Sequence, residues 1–276
     1  MPDLPAPDPL ADHPAPGPPL RPTAMPEAVV ARLRAAGCVF AEDEATLLLA
    51  AAPRAADLDV LVARRVDGEP LEHLLGWVAF DGLRVPVDPG VFVPRRRTEF
   101  LVQLAAPLLT PDSLAVDLCC GCGAVGIALR ARVPGVEVHA ADLDPAAVAC
   151  AARTLPDVHE GDLYDALPPA LRGRVTVLAV NAPYVPTDAI ALMPPEARDH
   201  EPHLALDGGP DGVALHRRVA AHARDWLAPD GHLLIETSHE QATSTAEAFH
   251  AAGLTATTHH DQDRHATVVV GTRADH

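Results

Sequence analysis

A chain of 276 residues is long enough for one large domain, or for a small domain beside a medium one. Its 48% hydrophobic and 21% charged residues describe a soluble globular protein, and with only 3% aromatics the core falls to Ala, Val and Leu. A net charge of −17, with every basic residue an arginine, disfavours non-specific attachment to nucleic acid or to an anionic membrane.

Residues 1–25 carry nine prolines and no periodic apolar pattern, and read as a disordered arm. No positively charged segment precedes an apolar core there, and no apolar run reaches the ~20 residues that span a bilayer, so a cytoplasmic protein without membrane attachment is expected. Residues 26–76 predict a small helical domain: EAVVARLRAAG is amphipathic and stops at Gly37, and EDEATLLLAAA and ADLDVLVARRVDG are broken by Pro53 and Gly68. Residues 77–97 predict a β-hairpin linker, WVAF and LRVPV joined by Asp81-Gly82, running on to Pro94. Thr98 is placed to cap the helix that follows.

Residues 98–276 alternate strands and helices. The strand candidates are LAVDLC, VEVHAA, DVHE, VTVLAV, GHLLIET, LTATT and ATVVVG, with helices at 124–133, 145–154, 212–227 and 239–252. Such alternation predicts an α/β domain with a mostly parallel sheet covered on both faces. Ligands in such sheets bind beyond the carboxyl ends of the strands, near the point where the strand order reverses.

Two strand ends carry chemistry. LAVDLC leads through Asp117 into Cys119-Cys120-Gly121-Cys122-Gly123 and then a helix. The glycines permit a tight turn and a close backbone approach, and the helix start offers free N–H groups. Asp142 ends the next strand about twenty residues on, where a carboxylate can accept from both hydroxyls of a ribose. Asp162 and Leu163 follow the third strand, suited to an adenine amino group and ring face. The VTVLAV strand ends in Asn181-Ala182-Pro183-Tyr184. The Asn181 side-chain carbonyl and the Ala182 backbone carbonyl can bind both hydrogens of an –NH₂ group, and Tyr184 can stack on a planar amide. A nucleotide-like cofactor turn beside an amide cradle points to methyl transfer from S-adenosylmethionine (SAM) to nitrogen.

The five cysteines are odd in number and three are clustered, which argues against a disulfide framework; Cys119 and Cys122 lack the partners of a zinc site and read as small packed residues. His259, His260, Asp261, Asp263 and His265 have no recognised ligand spacing and are assigned to a loop between the last strands, so no metal is expected. Arg95, Arg96 and Arg97 read as solvated or paired with Asp and Glu, the alternative being contact with an acidic partner or RNA phosphates.

From about residue 27 to 272 the chain resembles the protein glutamine-N5 methyltransferases, class I SAM-dependent enzymes that modify translation release factors. The matches are GEPLEHLLGWVAFDGLRVPVDPGVFVPRRRTEFLV, VDLCCGCGAVGIAL, AADLDPAAVACAAR, GDLYDAL, NAPYVP, EPHLALDGGPDGVALHRRV and LAPDGHLLIETSHEQ. The resemblance implies a seven-stranded Rossmann-like catalytic domain behind a small helical domain, acting as a monomer on a protein substrate without stable nucleic acid. It implies SAM contacts from Asp117, Cys119, Cys120, Gly121, Cys122, Gly123, Asp142, Asp162, Leu163 and Asn181. It implies amide binding and catalysis by Asn181, Pro183 and Tyr184 with Ala182. The chain departs from the family at Ala182, where proline is usual, at Cys119, where glycine is usual, and at Arg96, where the PRPxTE segment has its second proline. The competing readings are a nucleic-acid amino-group methyltransferase, a small-metabolite methyltransferase and a SAM-binding module without catalysis.

Overall fold

The computed structural model describes residues 27–52 and 54–274; the Pro-rich segment 1–25 lies outside the described residues. The chain divides into two compact units, one up to Leu74 and one from Leu75.

In the first unit, helices α1 (Glu27–Ala35), α2 (Ala41–Ala51) and α3 (Ala55–Val66) pack on one another. They bury the residues that helical spacing puts on one face: Val29 and Leu33, Ala41, Ala45 and Leu48, Leu58 and Val62. Gly37 ends α1 at φ +94°, its N–H and that of Cys38 donating back to Arg34 and Leu33. The buried Glu44 is matched by Arg65, Nε to Oε2 at 2.7 Å. A short helix, α4 (Leu71–Leu75), closes this stretch.

The second unit opens with the hairpin of β1 (Trp77–Phe80) and β2 (Leu83–Pro86), so the hairpin belongs to the catalytic unit. Asp81 and Gly82 both take positive φ, 51° and 77°, the turn that matches the twist of paired strands. Then come α5 (Glu99–Ala105), β3 (Leu114–Leu118), α6 (Ala124–Arg132), β4 (Glu137–Asp142), α7 (Pro145–Ala151), β5 (Asp157–Glu160) and β6 (Val175–Val180). After these follow α8 (Pro195–His200), α9 (Ala214–Trp226), β7 (Leu227–Thr237), α10 (Ala242–Ala251), β8 (Thr255–Asp261) and β9 (Ala266–Thr272).

The seven strands lie in the order β5-β4-β3-β6-β7-β9-β8, parallel except for β9, which runs antiparallel between β7 and β8. The expected class I methyltransferase sheet is therefore present. Its central strands are apolar throughout because both faces are covered. Ala115, Val138, Val177 and Leu234 meet α5, α6, α7 and the hairpin on one face. Val116, Leu178, Leu233 and Ile235 meet α9 and α10 on the other. From β3 the chain runs outward through β4 and β5, then returns to β6 on the opposite side. The carboxyl ends of the adjacent β3 and β6 therefore flank the switch point, where the topology opens a crevice.

β8 continues through His259, His260 and Asp261, so these residues stand in a strand and only 262–265 form the turn; sequence reading had given the whole cluster to a loop. Among the described residues no group of three or more His, Cys, Asp or Glu side chains is placed to hold a metal.

Candidate active site

A cleft of about 480 Å³ lies at the switch point. It is lined by Asp117, Cys119, Cys120, Gly121 and Cys122 after β3, Asp142 after β4, Asp162 and Leu163 after β5, and Asn181, Ala182, Pro183 and Tyr184 after β6. The site residues read from sequence thus converge on one cavity of a size ordinary for small ligands, with one exception. Gly123 is not part of the lining. It caps α6 at φ +80°, a left-handed backbone that favours glycine, and an added Cβ would crowd Leu155 Cδ1 at 2.9 Å.

The β3–α6 turn is shaped by carboxylates that hold its amides. Asp117 Oδ2 accepts from Gly126 N–H at 2.8 Å, inside the first turn of α6. Burial pushes the Asp117 carboxyl up to about 7 although this bond favours ionisation. Asp142 Oδ2 accepts from Gly121 N–H at 2.8 Å and Oδ1 from Asp144 N–H at 2.9 Å. Burial raises the Asp142 carboxyl and these two donors pull it back. Gly121 has φ +54°, and an added Cβ there would meet no described atom within 4 Å, although Gly121 lines the cleft. Packing does not demand glycine at this point; the left-handed backbone favours it, and open space of the cleft stands beside it.

Cys119 takes φ +60°. A side chain in this left-handed region costs roughly 1 kcal/mol or more. Burial pushes the thiols of Cys119, Cys120 and Cys122 up, so all three are neutral near pH 7 and pack as small apolar groups.

Asp162 pairs with Arg218 of α9 at 2.7 Å, which sequence reading had not foreseen. Arg218 itself lines the cleft. Leu163 is held at φ +51° with its side chain buried at the same end.

The Asn181–Tyr184 segment is clamped from behind. Val185 N–H donates to Leu206 O at 3.0 Å and Gly208 N–H to Val185 O at 2.9 Å, while Gln241 Nε2 donates to Tyr184 O at 2.8 Å. A Cβ on Gly208 would come within 2.6 Å of Tyr184 Cα, so the DGGPDG loop needs glycine to lie against this backbone. Asn181 Nδ2 donates to Thr98 Oγ1 at 3.3 Å, and Oδ1 accepts no hydrogen bond among the described residues. Thr98 therefore does not cap α5. Its backbone is helical at φ −66° and its hydroxyl serves the site instead. Tyr184 stands under the Arg97 guanidinium, 5.7 Å from its ring centre, and burial pushes its phenol far above the usual range.

Two of the three arginines are paired with buried carboxylates. Arg95 Nη2 reaches both oxygens of the buried Glu201, at 2.7 and 2.6 Å, and Arg97 Nε reaches Glu236 at 3.1 Å. Arg96 is exposed. Sequence reading missed Thr98, Arg218, Glu236 and Gln241. One signal was available: Glu236 is an acid near the end of the apolar strand GHLLIET, a place where charge is costly unless it is used.

The family model described as methyltransferase small domain matches residues 82–183. The release factor glutamine methyltransferase of Mycolicibacterium smegmatis is 38% identical over 271 residues, which span 90% of this chain and 96% of that protein. The 4-amino-L-phenylalanine/4-methylamino-L-phenylalanine methyltransferase of Streptomyces pristinaespiralis is 36% identical over 203 residues, 70% of this chain and 69% of that protein. Among solved structures, a methyltransferase from Pyrococcus furiosus matches with a TM-score of 0.54 at 14% identity, over 77% of this chain and 98% of that one; at this identity it shows the shared fold alone.

Proposed function

The chain belongs to the release factor glutamine methyltransferase family, and from that premise we propose that it methylates the side-chain amide of a glutamine in a peptide chain release factor, using SAM. The single observation that carries the assignment at the level of this site is the state of Asn181. Its Nδ2 is committed to Thr98, which leaves Oδ1 as the acceptor in the cleft. An acceptor there suits an –NH₂ group, which brings only donors to it.

The residues of the cleft fit SAM. Room stands open at Gly121, and the Asp117 and Asp142 carboxylates line the cleft, the kind of acceptor a ribose and an ammonium group call for. Each Asp142 oxygen accepts one backbone N–H and keeps lone-pair capacity for a ribose hydroxyl. Asp117, poised near neutrality, gains its full charge beside an ammonium group. Asp162, with one oxygen on Arg218, keeps the other for the adenine amino group, and Leu163 covers the ring face. Cys119, Cys120 and Cys122 line the turn beside the methionine part. When bound, SAM supplies a methyl group activated by a sulfonium.

Asn181 Oδ1 and the Ala182 carbonyl hold the two amide hydrogens, Pro183 stiffens the turn and Tyr184 stacks on the amide plane. An amide nitrogen is a weak nucleophile because its lone pair is delocalised. Holding that nitrogen in line supplies proximity, and polarising its N–H bonds favours the positive charge that develops on it. The proton leaves afterwards, when the nitrogen is far more acidic. We also read the protein as a cytoplasmic monomer without stable nucleic-acid or membrane partners; the −17 charge and a substrate that works in translation support this.

A second reading is favoured by Ala182. Without the usual proline the turn loses a fixed φ, and a relative of similar identity acts on an aryl-amine amino acid. Mass spectrometry of a release factor incubated with the protein and SAM decides between them. One added methyl on the glutamine of its Gly-Gly-Gln loop supports the first reading. Methylation of 4-amino-L-phenylalanine with an unmodified release factor supports the second.

A further inference from the structure

Gln241 stands where the chain after β7 enters α10, outside the cleft lining. Its backbone is pinned on both sides. The N–H donates to Ser238 Oγ at 3.2 Å, and the carbonyl accepts from Thr245 N–H at 3.0 Å. Its side-chain Nε2 donates to Tyr184 O at 2.8 Å and to Asp211 O at 3.2 Å. Both partners are peptide carbonyls, which only accept, so the NH₂ end must face them and both its protons are spent. Oε1 is buried with no partner among the described residues. A side chain that merely filled this space would not bury a lone polar atom, because such atoms are costly. Gly212 makes the room: a Cβ on it would collide with Gln241 Nε2 and with Tyr184 O.

We propose that Gln241 is the positioning residue of the methyl-acceptor end of the cleft, tying the Asn181–Tyr184 turn to the loop that carries Asp211. The inference rests on the reading of that turn as the amide cradle. Turn and loop both line the cleft, through Asn181 to Val185 and through Leu206 to Gly209. The turn is anchored at its start by β6 and by Asn181 Nδ2 on Thr98 Oγ1. Its far end is the peptide between Tyr184 and Val185. The N–H of that peptide donates to Leu206 O at 3.0 Å, and its carbonyl takes Gln241. One bond leaves a peptide free to pivot about it, whereas bonds on opposite edges fix its plane. Tyr184 Cα lies in that plane. Fixing it aims the ring and, through Pro183 with its locked φ, the Ala182 carbonyl. Ala182 and Pro183 carry no hydrogen bond among the described residues, so their placement is inherited from the two ends. Without the Nε2 donors, the Tyr184 and Asp211 carbonyls would be left as two acceptors with nothing between them. The carboxylates read as SAM contacts, Asp117, Asp142 and Asp162, stand at the ends of β3, β4 and β5, and Gln241 bonds to none of them.

The test uses the full chain and two variants. Q241M keeps the length without the donors, and Q241E keeps the shape but turns an oxygen toward the carbonyls. The first readout is ¹⁵N NMR, with the Gln241 side-chain NH₂ signal assigned by its loss in Q241E. In the wild type both its protons are expected to be protected from exchange. Q241M is expected to shift the Asn181 side-chain NH₂ signal and the Tyr184 ring signals. The second readout is kcat/KM for the acceptor, with SAM affinity by calorimetry and urea unfolding as controls. Q241M is expected to lower kcat/KM by roughly 100-fold, the scale of a displacement of about 1 Å, with SAM affinity unchanged. Q241E carries a pH signature. Burial between two carbonyls favours its protonated form, which regains one donor, so its kcat/KM relative to wild type should rise from about pH 8.5 to about pH 6. The same ratio for Q241M should stay flat. Rapid exchange of the wild-type Gln241 amide protons, or Asn181 and Tyr184 signals unmoved in Q241M, overturns the proposal whatever the substrate is. So does a Q241M kcat/KM that equals wild type or falls only in step with SAM affinity, and so does a flat Q241E ratio. A wild type that methylates neither release factor nor aryl-amine overturns the functional reading instead and leaves the NMR result to decide this one.

Discussion

Asp117→Asn should gain stability relative to the wild type as the pH rises. Asp117 is buried and accepts one hydrogen bond, from Gly126. Its carboxyl is pushed from the ordinary 3.8 up to about 7 by burial. A group raised in this way stabilises the folded state fully below its unfolded value, and that contribution is lost as the pH climbs to the folded one. Between pH 5 and about 7 the loss is about 1.4 kcal/mol per pH unit, so roughly 3 kcal/mol accumulates by pH 8. Asparagine keeps an acceptor for Gly126 and has no proton to lose. The gap between the variant and the wild type should therefore widen by about 3 kcal/mol from pH 5 to pH 8, whatever its offset. All other titrating groups are common to both proteins and cancel. Urea unfolding followed by tryptophan fluorescence measures this gap in the relevant unit, since Trp77 and Trp226 both lie in it. SAM should narrow the gap, because its ammonium favours the ionised wild-type carboxylate and finds no charge in the variant. Parallel stability profiles would refute the reasoning and return Asp117 to an ordinary carboxylate reached by water.

Asn181→Ala is expected to lower methyl transfer by ~100-fold or more while SAM affinity stays as it was; the loss of one well-placed polar partner in the reacting geometry has that scale, and full activity would remove the amide cradle. Asp142→Ala should weaken SAM binding in calorimetry by at least ~10-fold, because Gly121 N–H loses its acceptor along with the ribose hydroxyls. Cys119→Gly should leave stability within about 1 kcal/mol of the wild type, since relief of a left-handed side chain offsets the added freedom of the unfolded chain. A Cys119→Gly loss of more than about 2 kcal/mol in urea unfolding would show that the Cys119 side chain is packed in earnest.

The two motifs were legible because their chemistry is local. Asp117 to Gly123 and Asn181 to Tyr184 each sit within one strand-to-turn junction, and the apolar runs before them have the length and branching of buried strands. Their period also announced the alternating domain, and Asp81-Gly82 announced the hairpin. Sequence alone thus determined the fold class, the cofactor turn and the acceptor turn, since each depends on residues within a few positions of one another. Tertiary structure decided what those residues do with their side chains. Thr98 reads as a helix cap until Asn181, 83 positions away, is brought beside its hydroxyl. Arg95 and Arg97 read as solvated or paired with unnamed acids until Glu201 and Glu236, far off in sequence, arrive as those partners. Whether a polar group is a cap, a ligand or a partner depends on what long-range packing sets within about 3 Å of it, and no local spacing carries that information.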